Sequence, residues 1–177
     1  MNILALDLSL TAPGVCYSDG SAETLKPGKL RGMQRLSWIR DEIACRLDLP
    51  GTSSMVDLVV LEGYSYASKG RSVIDIAELG GVVRLYLDEY GPPYVEIPPA
   101  NLKRYATGRG NASKDDVLQA GVMRSGHTFA DNNACDAWFL WCMAMEHYCP
   151  GDPRVPRMPV GNLEGLRKIE WPGRREA

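Results

Sequence analysis

Three carboxylates stand where the surrounding sequence leaves them little structural purpose. Asp7 lies in the apolar opening run Asn2-Ile3-Leu4-Ala5-Leu6-Asp7-Leu8. Glu62 ends an equally apolar run, Leu58-Val59-Val60-Leu61-Glu62. Asp136 opens an otherwise greasy helical segment, Cys135-Asp136-Ala137-Trp138-Phe139-Leu140-Trp141. A desolvated carboxylate costs several kcal/mol unless it is paired or protonated. Three such acids at the mouths of apolar elements can relieve that cost together by sharing divalent cations. All-oxygen ligands select Mg2+ or Mn2+ over zinc. The pattern points to a metal-dependent enzyme. Each acid alone also has an ordinary reading: a strand end in solvent for Glu62, a structural ion pair for Asp7, a first-turn acid favoured by the helix dipole for Asp136.

The elements that must position these acids follow from periodicity and punctuation. Residues 2–8 read as a strand, Thr11-Ala12-Pro13-Gly14 as a turn, and Val15-Cys16-Tyr17-Ser18 as a returning strand. A further short strand is expected within 23–31. Leu36, Ile39, Ile43 and Leu47 keep helical spacing over 33–47. Residues 56–61 form a continuous apolar run, the mark of a strand buried on both faces. Ser72 is positioned to cap a helix reaching Tyr90, residues 94–97 read as a strand between prolines, and 99–105 as a short helix. Ser113 caps a helix to about Arg124, and Asp131 or Asn132 caps the last, to about Tyr148. Strands first, then strands alternating with helices, predict an α/β fold with a mixed sheet covered by helices.

Composition bounds the alternatives. The 177 residues read as one domain, with 45% hydrophobic and 24% charged residues. No apolar stretch has the length of a membrane span and no signal-like segment opens the chain, so the expected location is the cytoplasm. Five cysteines without CxxC pairs fit reduced thiols. Cys135, Cys142 and Cys149 recur every seven residues and read as small buried groups along one helix stripe. The net charge of −2 does not announce a nucleic-acid binder, but its distribution is uneven. Residues 98–124 carry five cations against two acids, and residues 149–177 carry six against four. Positive potential is therefore local, as a phosphate-reading groove requires. The tail 149–177, with five prolines, is expected to be partly disordered or docked as an arm, beside a domain spanning 1–148.

Taken in order, four segments carry a resemblance to a known family. The opening Ile-Leu-Ala-Leu-Asp7-Leu-Ser with its glycine-bearing turn resembles the start of the ribonuclease H-like superfamily. Leu61-Glu62-Gly63-Tyr64 and the stretch from Pro98 to Lys114, which includes Thr107-Gly108-Arg109-Gly110-Asn111-Ala112-Ser113-Lys114, narrow this to RuvC-like Holliday junction resolvases. So does Asp131-Asn132-Asn133-Ala134-Cys135-Asp136-Ala137. The resemblance covers about residues 1–148. The short form and the tail are compatible with a phage member.

The resemblance implies a ribonuclease H-like, five-stranded mixed sheet flanked by helices, a homodimer, and two Mg2+ or Mn2+ ions per active site. It implies hydrolysis of phosphodiesters at four-way junctions and at other branched DNA such as flaps or forks. Asp7, Glu62 and Asp136 match the family's metal-binding acids, and Lys114 is placed to neutralise charge on the phosphate. The family's fourth ligand falls at Asn133, which is not an acid. Two candidates stay open: Asn133 through its carbonyl oxygen, and Asp131, whose ordinary role is a helix N-cap.

DNA-contact candidates fall in two groups. Tyr64, Tyr66, Lys69 and Arg71 surround the loop after Glu62, with aromatics for stacking and cations for phosphates. Lys103, Arg104, Arg109 and Lys114 form the second group. Gly80-Gly81 inside a helix costs roughly 1 kcal/mol per glycine against alanine. Close approach of a twofold-related helix, or of the chain's own sheet, would account for it. His127 reads as a turn residue. The competing functional reading is a catalytically inactive module of the same fold that binds branched nucleic acid. A sugar-kinase or actin-like ATPase fits poorly, since Asp7-Leu8-Ser9 lacks the phosphate-binding glycine.

Overall fold

The computed structural model describes residues 1–47, 55–63 and 71–173. Its strands are β1 (Ile3–Asp7), β2 (Gly14–Cys16), β3 (Ala22–Thr24), β4 (Leu58–Glu62) and β5 (Tyr94–Ile97). Its helices are α1 (Gly32–Leu47), α2 (Arg71–Tyr90), α3 (Pro99–Thr107), α4 (Lys114–Ser125) and α5 (Asn132–Tyr148), followed by a 3-10 segment at Val160–Leu166. The five strands form one mixed sheet in the order β3-β2-β1-β4-β5. β1, β2 and β3 pair antiparallel, while β1–β4 and β4–β5 are parallel. This is the ribonuclease H-like architecture.

The alternation of side chains across the sheet decides what each face holds. Ile3, Ala5, Leu58, Val60, Val95 and Ile97 face one core, packed with Phe139, Trp141 and Met145 of α5 and with Leu102 and Tyr105 of α3. Leu4, Leu6, Val59 and Leu61 face the other core, against Leu36, Ile39 and Ile43 of α1 and Leu79, Val83 and Leu87 of α2. The continuous apolar runs of β1 and β4 thus serve two cores at once, as a helix-covered sheet demands.

Local chemistry explains the element ends. Ser113 makes a full capping box: its hydroxyl accepts from the Asp116 amide, and the Asp116 carboxylate accepts from the Ser113 amide. Asp131 caps α5 by accepting from the Ala134 amide at 3.0 Å. Two expectations shift. α2 begins at Arg71, one residue before Ser72, so Ser72 lies inside the helix and is not its cap. The strand expected within 23–31 is only Ala22–Thr24, because Pro27 and the left-handed Gly28 turn the chain away.

α5 lies unusually close to β2. A Cβ built on Gly14 would sit 2.0 Å from the Asn133 carbonyl oxygen and 2.4 Å from its carbon, both backbone atoms. Glycine at 14 is what allows the first turn of α5 to reach the sheet. Replacing Gly14 with alanine is expected to cost about 3 kcal/mol, the upper end for overpacking. Urea unfolding at pH 7 measures it.

Candidate active site

Strand register brings the first two acids together. Leu6 pairs with Leu61 across the parallel β1–β4 ladder. The next residues, Asp7 and Glu62, therefore end adjacent strands side by side. Both share parity with Ala5 and Val60, so both point to the α5 face. Asp136 approaches from above, one turn into α5, with Asn133 three residues earlier on the same helix face. Asp7, Glu62, Asn133 and Asp136 line one cavity of about 410 Å³ with Lys103 from α3 and Lys114 from α4. Arg84 of α2 joins them. No sequence motif singles out Arg84; only its place on the α2 turn that faces β5, where it pairs with Glu96 at 3.5 Å, brings it there.

Asp7 and Asp136 are only 6% and 9% exposed. Burial first, then the charge of Glu62 and a hydrogen bond with it, push the Asp7 carboxyl well above its ordinary range, and Lys114 opposes this. Glu62 is raised by burial and held back by its bond to Asp7 and by Lys114 and Lys103. Asp136 is pushed up to about 7, mainly by burial and then by the Glu62 charge, against Lys114 and Lys103. Asp7 therefore feels the charges of both Glu62 and Asp136, and Asp136 in turn feels that of Glu62. Among the described residues, no three acidic, histidine or cysteine side chains stand in the close array of a ready-made metal cage. The donors around the cavity are nevertheless oxygens, and their mutual repulsion is the kind a hard cation relieves.

The remaining candidates separate by position. Asp131 is occupied: one carboxylate oxygen accepts from both the Ala134 amide and the Thr24 hydroxyl, the latter at 2.7 Å, and it does not line the cavity. Asn133 does line it, and its amide nitrogen donates to the Ala12 carbonyl at 2.5 Å. Arg104 and Arg109 are exposed outside the cavity, with Arg109 3.3 Å from Asp116. Tyr64, Tyr66 and Lys69 lie outside the described residues, and Arg71 opens α2. His127 sits in an aromatic group with Phe129 and Trp138, away from the acids. Cys135 and Cys142 are buried thiols and Cys149 is half-buried. Gly80 is buried and Gly81 exposed, with open space where a Cβ would stand. No described helix is long and apolar enough to cross a membrane.

The raised carboxyls have a consequence for stability. A carboxyl whose folded pKa exceeds its unfolded value binds more protons in the folded state between the two. Its contribution is therefore complete below about pH 4 and lost as pH rises through the folded value, near 7 for Asp136. Without divalent ions, stability is expected to fall between pH 4 and 7. Asp136→Asn should flatten that fall and raise stability at pH 8 by on the order of 2–4 kcal/mol. Urea midpoints measured across pH in chelator check both.

Comparison with known proteins places the chain beside a named group. No protein-family model matches the chain. It is 29% identical over 160 residues to the crossover junction endodeoxyribonuclease RuvC of Gloeobacter violaceus, covering 88% of each chain. It is 34% identical over 99 residues to the RuvC of Synechococcus sp. strain CC9311, covering 55% of this chain and 57% of that protein. The chain spans between about a third and just over half the length of the curated relatives it matches at 34% identity or more. Its structure superposes on that of Thermus thermophilus RuvC solved in complex with a Holliday junction substrate, with TM-score 0.63 and 15% identity over 83% of this chain and 94% of that one. The chain is thus similar in sequence to RuvC proteins and shares the fold of the Thermus protein.

Proposed function

We propose that this chain is a divalent-metal-dependent endonuclease that hydrolyses phosphodiesters in branched DNA, four-way junctions foremost, and works as a homodimer. One observation carries the reading. Two carboxyls end in-register strands side by side and line one cavity with a third, and two lysines line it as well. An acidic floor with a cationic rim suits a phosphodiester with metal between them. The RuvC relatives carry the name of this activity, and the Thermus protein was solved on a Holliday junction.

Asp7, Glu62 and Asp136 are the residues that would hold Mg2+ or Mn2+, two ions per site. Asn133 supports them better than Asp131, because the Asn133 amide nitrogen is committed to Ala12 and leaves its oxygen as the available end. When bound, such ions lower the pKa of an attacking water and stabilise the leaving oxygen. The chain's own part is electrostatic and positional. Lys114, fixed by the Ser113 capping box, and Lys103 place ammonium groups where phosphate charge develops. Arg104 and Arg109, exposed beside them, would extend the phosphate contacts along a DNA arm, and Tyr64, Tyr66 and Lys69, together with Arg71 at the start of α2, would meet the junction centre. For the homodimer, α2 presents Ile74 and Leu85, 62% and 58% exposed, in line with Gly81. The 74, 81, 85 spacing puts all three on one face, where a twofold-related helix can pack closely.

Mg2+-dependent cutting of a synthetic four-way junction is the primary test. Asp7→Asn should abolish cutting, and Lys114→Ala should slow it about a hundredfold or more, with binding retained. Binding without cutting by the unaltered chain would instead favour the inactive module. Junction affinity should fall with a log–log salt slope of about −3 to −4 if Lys103, Arg104, Arg109 and Lys114 each neutralise a phosphate, and Lys103→Ala should reduce that slope by about 0.9. Fluorescence anisotropy across salt reads the slope.

A further inference from the structure

Helix α3 carries Lys103 but has little holding it in place by itself. It is nine residues long, opens on Pro98 and Pro99, and has no side-chain cap at its start. Helices this short are marginal without tertiary support. Beyond the packing of Leu102 and Tyr105 in the core, that support comes from the C-terminal tail. The Asn101 amide donates to two tail carbonyls, Gly165 at 2.8 Å and Arg167 at 2.9 Å. From the tail side, the Asn162 amide donates to the Tyr105 carbonyl at 2.7 Å, near the C-terminal end of α3. Asn162 is 6% exposed, so this bond is made out of water.

Backbone contact seals the join. A Cβ on Gly165 would lie 2.6 Å from the Asn101 carbonyl oxygen and 2.7 Å from the Tyr105 amide nitrogen. The tail is itself anchored beyond this point. Trp171 stacks on His147 with ring centroids 4.6 Å apart, and the Tyr148 hydroxyl donates to the Pro172 carbonyl at 2.5 Å. The tail is thus held to α5 and grips both ends of α3.

We propose that Asn101 and Asn162 are positioning residues, and that residues 159–171 form a brace setting where Lys103 stands over the acids. At 100° per residue, Lys103 lies about 200° around α3 from Asn101. The brace therefore presses the back of the helix while Lys103 points forward into the cavity. Lys103 lines that cavity, and its charge acts on Glu62 and Asp136. Displacement of α3 by the tail would move the cation relative to the phosphate without touching any acid. The effect on catalysis rests on the nuclease reading above; the grip on α3 does not.

The test uses the full chain with Asn162→Ala, Asn101→Ala and, as a control in the same tail, Val160→Ser at a position 85% exposed. Amide hydrogen exchange over residues 99–107, measured without DNA, should quicken about five- to tenfold in both asparagine variants and stay unchanged in the control. Cutting of a four-way junction at saturating DNA should slow severalfold in Asn162→Ala when Lys103 is present. In a Lys103→Ala background the same substitution should change the rate less than twofold. Unaltered exchange in both asparagine variants overturns the brace, and so does an equal loss of rate in both backgrounds. Quickened exchange in a chain that cuts no junction upholds the grip and defeats only the nuclease reading.

Discussion

Two carboxyl groups forced side by side are the constraint around which this molecule is arranged. Asp7 and Glu62 end neighbouring parallel strands in register, and alternation along each strand sends both to the same face. Nothing in the sheet can separate them, because a one-residue slip would exchange the two cores of β1 and β4. The repulsion is therefore built in, and with burial it pushes the Asp7 carboxyl well above its ordinary range. Retaining such a pair inside an apolar core lowers stability, and the fold accepts that cost only at this cavity.

The third acid depends on a different piece of chemistry. Asp136 reaches the pair only if the start of α5 comes down onto β1 and β2. Gly14 provides the clearance, since any side chain there would collide with the Asn133 carbonyl. Asp131 then fixes the approach by capping the helix and holding the Thr24 hydroxyl of the edge strand. A glycine, an N-cap and an edge-strand threonine together decide how closely the third carboxylate stands to the other two. None of the three needs to touch a substrate.

Much of this was legible in the sequence, and the reasons differ by element. The strands of β1 and β4 announce themselves as unbroken apolar runs, and the acids at their ends stand out because burial of a charge is rare. Ser113 and Asp131 are visible as caps because their side chains act locally. What stayed hidden is non-local. Arg84 lies on a helix face that only tertiary packing turns toward the acids, and no spacing rule links it to Glu62. The grip of the tail on α3 is equally invisible: proline-rich sequence with a weak apolar pattern does not reveal that Asn101 and Asn162 will each find a backbone carbonyl on the other segment.

Acids and cations around the cavity are held by different means, and this shapes how the site can respond. The acids sit on sheet strands and on the most buried helix, so their places are fixed by the two cores. The two lysines sit on short helices at the rim, with Arg84 on the longer α2. Lys114 occupies the first turn of α4, the positive end of the helix dipole, where a cation is unfavourable. Asp115 and Asp116 beside it offset part of that penalty, and the capping box holds the turn rigid. Lys114 is exposed and lines the cavity, where its charge opposes the raising of the acids. Lys103 rides on a helix that the tail has to steady. The acidic floor is therefore held by two cores, while Lys103 depends on the hydrogen bonds between α3 and the tail. On the nuclease reading proposed above, the less firmly held elements are the ones that would meet the phosphodiester.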